Sequence, residues 1–279
     1  MTKPAIKSIR RRALAAAAIV LCSWLPPPQG AVAAASLKDY AVMVFSRPLA
    51  GKDSDFNDWY EHEHLPDMLA IPGFTAAQRF VTVKTGTPTS TLPPYLALYD
   101  VATRNLDATN AEVGRRMTNG SLRKGDAIDY PGIVTVIFAP LGPPQFAKRL
   151  AGTSAAPKIA GHDELKTFEL IVFSNAVKGQ DAQFNHWYDS MHVPDVLHVP
   201  GFLSGQRFKL AQNKSAGIDI PRYLVRFEFE SYDLDSTIAE IGARIKSGQT
   251  RMSTTMAPDP MVYFDMPLGL RVTAKTAAK

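Results

Sequence analysis

Two sets of side chains in this sequence have the types and the spacing for proton transfer. Tyr60, His64 and Asp67 stand at i, i+4 and i+7, and Tyr188, His192 and Asp195 repeat the spacing. Residues three and four apart share one face of an α-helix, so each set would present a phenol, an imidazole and a carboxylate together. An imidazole titrates near neutrality, and a carboxylate one turn away can set its tautomer and raise its basicity. His64 and His192 are therefore the candidate acid/base groups. Tyr60 and Tyr188 are candidate donors to a substrate oxygen, with Asp67 and Asp195 orienting the histidines. Trp59 and Trp187 precede the tyrosines, and Arg79 and Arg207 follow on the next predicted strand, where a guanidinium can hold a carboxylate or phenolate. These four are the candidate substrate-binding residues. The same residues also have a purely structural reading, with Asp67 paired to Arg79, His64 capping a strand end and both tryptophans in the core.

Other chemistries find less support. Glu61-His62-Glu63-His64 suggests a metal site, but residues two apart on a helix point in nearly opposite directions, so His62 and His64 cannot chelate one ion. The second set reads Asp189-Ser190-Met191-His192, which changes three of those four residues and leaves Ser190 and Met191 where His62 and Glu63 stood. No Gly-x-Ser-x-Gly elbow supports a serine hydrolase, and no glycine-rich phosphate loop supports a nucleotide cofactor. Neither a metal nor a cofactor is expected.

The elements that carry these residues are written twice. Phe56-Asn57-Asp58-Trp59-Tyr60 returns as Phe184-Asn185-His186-Trp187-Tyr188, 128 positions later (184 − 56), and the register holds through Gln78-Arg79-Phe80 and Gln206-Arg207-Phe208. Near the ends, Pro140-Leu141-Gly142 matches Pro267-Leu268-Gly269 at one residue fewer. Each copy opens with a β-rich apolar run, residues 40–45 and 168–173. A helix follows from about Asp53, with Asp53 or Ser54 as N-cap, and ends at Pro72-Gly73. Pro66 and Pro194 lie inside the two helices and predict a kink that frees the carbonyls of His62 or Glu63. Strands over 74–83 and 95–101, a helix over 106–122 and a strand over 132–138 complete a βαββαβ order, the split unit of the ferredoxin-like class. One unit leaves a sheet face bare, and two copies can cover each other's. The expected fold is α+β, two tandem ferredoxin-like units forming an intramolecular dimeric-type α/β barrel.

Residues 1–35 read as an export signal: Lys3, Lys7, Arg10, Arg11 and Arg12, then a short apolar core, then a small-residue cleavage site. The apolar core is too short for a membrane anchor, and the twin-arginine pair suggests one of the two export routes. The remaining divisions are a first half over 36–142, a linker over 143–166, a second half over 167–270 and a tail over 271–279. The signal holds five of the 31 basic residues and no acidic one, so 26 basic face 26 acidic residues beyond it. That balance carries no footprint for nucleic acid. The single Cys, Cys22, lies in the signal, which excludes disulfides and a thiol nucleophile from the rest.

The run Trp-Tyr, His-x-Pro-Asp and Pro-Gly-Phe within residues 56–74 resembles the EthD-like branch of the dimeric α/β barrel superfamily. The resemblance implies an activity on aromatic or polyketide-like compounds, in a family whose members include decarboxylases, cyclases, isomerases, cofactor-free monooxygenases and haem-binding branches. The combined expectation is a periplasmic or secreted, cofactor-independent lyase or isomerase. A small hydrophobic or aromatic ligand would sit in a water-excluding barrel interior, in a monomer or homodimer. Non-catalytic binding of such a ligand and haem binding are the alternatives. His62 and Glu63 occur only in copy one and His186 and His198 only in copy two, so one half can hold the site while the other is structural.

Overall fold

The computed structural model describes residues 36–87, 92–148 and 156–274; the export signal expected over 1–35 lies outside them. Copy one supplies β1 (Lys38–Ser46), α1 (Asp53–Trp59), α2 (Leu65–Leu69), β2 (Phe74–Thr85), β3 (Tyr95–Thr103), α3 (Leu106–Asn119) and β4 (Val134–Pro140). A two-residue strand, β5 (Gln145–Phe146), comes next. Copy two supplies β6 (Lys166–Ser174), α4 (Asp181–Trp187), α5 (Val193–Val196), β7 (Phe202–Asn213), β8 (Tyr223–Ser231), α6 (Leu234–Ser247) and β9 (Met261–Thr273). The strand order β4-β1-β3-β2-β9-β6-β8-β7 closes through β4–β7 into an eight-stranded antiparallel barrel. The two joints between copies are β2–β9 and β4–β7.

Strand alternation decides what each face meets. From β1, Ala41, Met43 and Phe45 turn to a central cluster that also takes Phe138, Phe173, Phe208 and Tyr263, drawing on both copies. Phe173 lies 6.2 Å from Phe45, 5.8 Å from Phe138 and 6.0 Å from Tyr263, ring centre to ring centre. The middle of the barrel axis is thus packed with side chains, as eight-stranded barrels of this width allow, and at one end the inward strand faces leave cavities of about 320 and 470 Å3 beside Arg226. Val42 and Val44 turn outward, beneath the helices of copy one.

Several local expectations are corrected. The first helix has Lys52 at its N-cap with no side-chain cap; Asp53 and Asp55 instead lie in its first turn, where negative charge suits the helix dipole. The kink at Pro66 is a π-helical turn over Tyr60–His64, in which the Leu65 N–H donates to the Tyr60 carbonyl five residues back. The extra residue moves the preceding turn away from the proline ring, and copy two repeats it over Tyr188–His192. α3 stops at Gly120, held at φ 78°, two residues short of the expected end. The expected linker contains β5, paired to β7 through Gln145–Gly205 and Phe146–Ser204. β9 reaches Thr273, into the expected tail.

Candidate functional site

The π-turn sets the geometry around each histidine. It brings residues five apart onto one face, so Trp59 lies 4.6 Å from His64 while Tyr60 meets the same imidazole edge-on at 5.0 Å. Copy two matches it, with Trp187 at 4.6 Å and Tyr188 at 5.1 Å from His192. A regular helix would give His64 its i+4 partner Tyr60 and no contact with Trp59.

The aspartates and arginines do other work. Both oxygens of Asp67 are taken by Arg123, at 2.8 and 2.9 Å, with a third bond from the Arg123 backbone N–H. Asp195 is bound in the same way by Arg251. Burial pulls the Asp67 carboxyl upward, and the Arg123 bonds outweigh it and hold it below its ordinary value. Arg79 is only 2% exposed and Arg207 5%. Each guanidinium lies over a tyrosine ring, Tyr60 at 4.5 Å and Tyr188 at 4.6 Å, and donates to Asn57 Oδ1 or Asn185 Oδ1. Their carboxylates are Glu61 and Asp189, not the expected Asp67. The two arginines therefore brace the first helix of each copy on its sheet. At the kink the Glu63 carbonyl accepts from Arg123 Nη2 at 3.3 Å.

What separates the copies is a cavity of about 370 Å3 between the sheet and the helices of copy one. Trp59, Tyr60, His64, Met68, Phe74, Tyr99 and Ile137 are among its walls. Trp59 Nε1, His64 Nδ1 and Tyr99 Oη are all buried without a hydrogen-bond partner. In copy two the same indole and imidazole are satisfied: Trp187 Nε1 donates to the Arg251 carbonyl at 3.0 Å, and His192 Nδ1 lies 3.1 Å from that same oxygen. Phe227 stands where Tyr99 does and has no hydroxyl. Larger residues also fill copy two, with Phe229 for Val101, Ile238 for Asn110 and Phe264 for Ile137, and all three pack in its helix–sheet cluster. A buried polar atom left unpaired is costly, and three of them belong to residues that line this one cavity.

Burial lowers the His64 pKa to about 4, with Asp67 opposing and Arg79 assisting, so this imidazole is neutral at ordinary pH. His192 is lowered for the same first reason. Burial pushes the Tyr60 hydroxyl up and the Tyr99 hydroxyl well up, so both keep their protons. An indole, a phenol and a neutral imidazole thus stand among the apolar walls of the cavity. It lies at the small end of the roughly 300–1,000 Å3 range of ligand pockets, and His64 is flanked by two rings. These features do not fit a haem plane with an axial histidine. Among the described residues no cluster of three metal-ligating side chains occurs.

Tyr99 was missed by motif spacing, because nothing near it repeats a chemical pattern. The signal available was the difference between copies, a tyrosine at 99 against a phenylalanine at 227. Gly125 was missed likewise. A Cβ there would lie 2.5 Å from Trp59 Cδ2, so glycine lets the 123–125 backbone run against the indole, where copy two has Ser253.

The chain matches no protein-family model, and no curated protein is similar to it in sequence. Solved structures do resemble it. An anthrone oxidase-like protein aligns with a TM-score of 0.53 at 14% identity, over 85% of this chain and 93% of that one. A suggested monooxygenase of Fusobacterium nucleatum aligns at 0.48 and 10% identity, over 84% and 94% of the two chains. A chlorite dismutase mutant from Candidatus Nitrospira defluvii aligns at 0.41 and 11%, over 82% and 91%. At these identities the likeness is one of fold. The chain has the architecture of a dimeric α/β barrel, with both halves supplied by one polypeptide.

Proposed function

We propose that copy one carries the working site and copy two is its structural counterpart. The site would bind a small apolar or aromatic molecule bearing a carbonyl or phenol oxygen and move a proton on it without a cofactor, as a lyase or isomerase does. One observation carries the reading: Trp59 Nε1, His64 Nδ1 and Tyr99 Oη are buried and unpartnered around the copy-one cavity, while the copy-two indole and imidazole are both satisfied by the Arg251 carbonyl. The Trp59 and Tyr99 donors would hold the substrate oxygen. With a carbonyl substrate, neutral His64 would take a proton from the carbon next to the C=O, the electron pair passing to the carbonyl oxygen, and return it to another carbon of the enolate as the C=O reforms. Donors aimed at developing charge in a dry site are the strongest contributors to such a step. Export is proposed with it, supported by the basic, apolar and small-residue order of the first 35 residues.

A binding role without turnover is favoured by one feature, the low basicity of His64, since a general base works best with a pKa near the operating pH. Calorimetric titration of the mature chain with 2-naphthol, and product analysis with ketone and enol substrates, separate the two. Trp59→Phe and Tyr99→Phe should each weaken 2-naphthol roughly fivefold, the ~1 kcal/mol of one net hydrogen bond. His64→Gln should abolish turnover while preserving binding. Binding unaffected by the copy-one variants but lost in His192→Gln would sink the assignment.

A further inference from the structure

Resting on the reading that the copy-one cavity takes the substrate, we propose that the substrate is an anion. Its apolar or aromatic body would fill the cavity, and its carboxylate or phenolate would lie at the rim against Lys124 and Lys214. Both lysines line the cavity, and they reach it from different copies. Lys124 follows Arg123 in the segment after α3. Lys214 belongs to copy two and arrives over copy one because β7 pairs with β4.

The rim is built rather than incidental. The Lys214 N–H donates to the Thr135 carbonyl at 2.9 Å, and the Thr135 N–H donates to Ser215 Oγ at 2.8 Å, so two bonds fix this turn on the end of β4. Gln212 ties the same strand end to α3, accepting from Asn110 Nδ2 at 2.9 Å and donating to Asp107 Oδ1 at 2.8 Å. Of the carboxylates near this rim, Asp67 and Glu63 are engaged by Arg123 and Asp107 by Gln212, while Asp126 lies close to Tyr130. No ion pair joins Lys124 or Lys214 to a carboxylate among the described residues. The duplicate is an internal control: the positions matching Lys124 and Lys214 are Met252 and Gly86, and the helix–sheet space there is filled. The open cavity is the one with these two cations at its rim. A ligand with an anionic end would supply acceptors for them while its body meets the apolar walls.

Titration of the mature chain with 2-naphthoate, 2-naphthol and 2-naphthylmethylamine at low ionic strength tests the proposal. The naphthoate should bind roughly tenfold tighter than the naphthol, the size expected from two exposed charge contacts. Added salt should erase the advantage, and so should the double variant Lys124→Met with Lys214→Gly, with naphthol affinity unchanged. Equal affinity for naphthoate and naphthol in the parent chain, or an advantage kept by the double variant, overturns the anionic substrate alone. If no probe binds, or if binding ignores Trp59→Phe and Tyr99→Phe, the cavity reading fails and takes this inference with it.

Discussion

Two buried groups should give this protein opposing pH dependences that a single substitution would unmask. Asp265 points into the barrel core, is 0% exposed, and neither of its oxygens has a hydrogen-bond partner. Its neighbours across the flanking strands are Thr82 on β2 and Glu169 on β6, with Glu169 bound by both arms of Arg226 from β8. Burial raises Asp265 from 3.8 to about 7, and also raises Glu169. The folded state therefore holds a proton that the unfolded chain releases. This stability is complete below the unfolded value and is lost as pH rises through the folded one, about 4 kcal/mol in all at 1.36 kcal/mol per unit. His64 runs the other way. Its pKa falls from 6.5 to about 4, so the unfolded chain binds the extra proton and about 3 kcal/mol is lost as pH falls through that window. His192 adds in the same sense. The two windows overlap, so the slopes nearly cancel in the parent chain. Denaturant unfolding from about pH 4 to about pH 7 should be close to level for the parent. It should rise with pH in Asp265→Asn and fall with pH in His64→Gln. Slopes are the measure, because a buried amide without partners carries its own penalty. If Asp265→Asn left the slope unchanged, the carboxyl would be ionised in the fold and the packed, dry barrel core would be wrong.

Gly125→Ala would place a methyl 2.5 Å from the Trp59 ring; calorimetric or denaturant unfolding should show a loss of about 1–3 kcal/mol from overpacking, with weaker 2-naphthol binding. Arg79→Lys keeps the charge but loses the fork to Asn57 and the stack on Tyr60; it should cost about 2 kcal/mol in the same assay without abolishing ligand binding, since Arg79 does not line the cavity. Asn105→Ala removes the N-cap of α3, whose Oδ1 accepts from the Ala108 N–H; the expected cost is about 1 kcal/mol. Phe264→Ile, which copies Ile137, should cost about 1–3 kcal/mol and create space beneath the copy-two helices, detectable as new binding of xenon or 2-naphthol.

The sequence by itself determined the duplication, the βαββαβ order and hence the barrel, because strand and helix periods and the spacing of the copies are properties of neighbouring residues. It also determined that Tyr and His would share one helix face in each copy. Only the tertiary structure decided their surroundings. Proline at 66 announced a kink, but that the kink is a π-turn, and so stacks Trp59 on His64, followed from packing of the helix on the sheet. Asp67 meets Arg123, 56 positions away, and no local period encodes that distance. Comparing the copies position by position shows that they differ, but a cavity is a small difference between volumes contributed by several elements. Asn110 and Ile137 leave space at positions that Ile238 and Phe264 close in copy two. The histidine motif is the same in both copies, and the side chains packed over it leave only one of them with unsatisfied groups and room for a ligand.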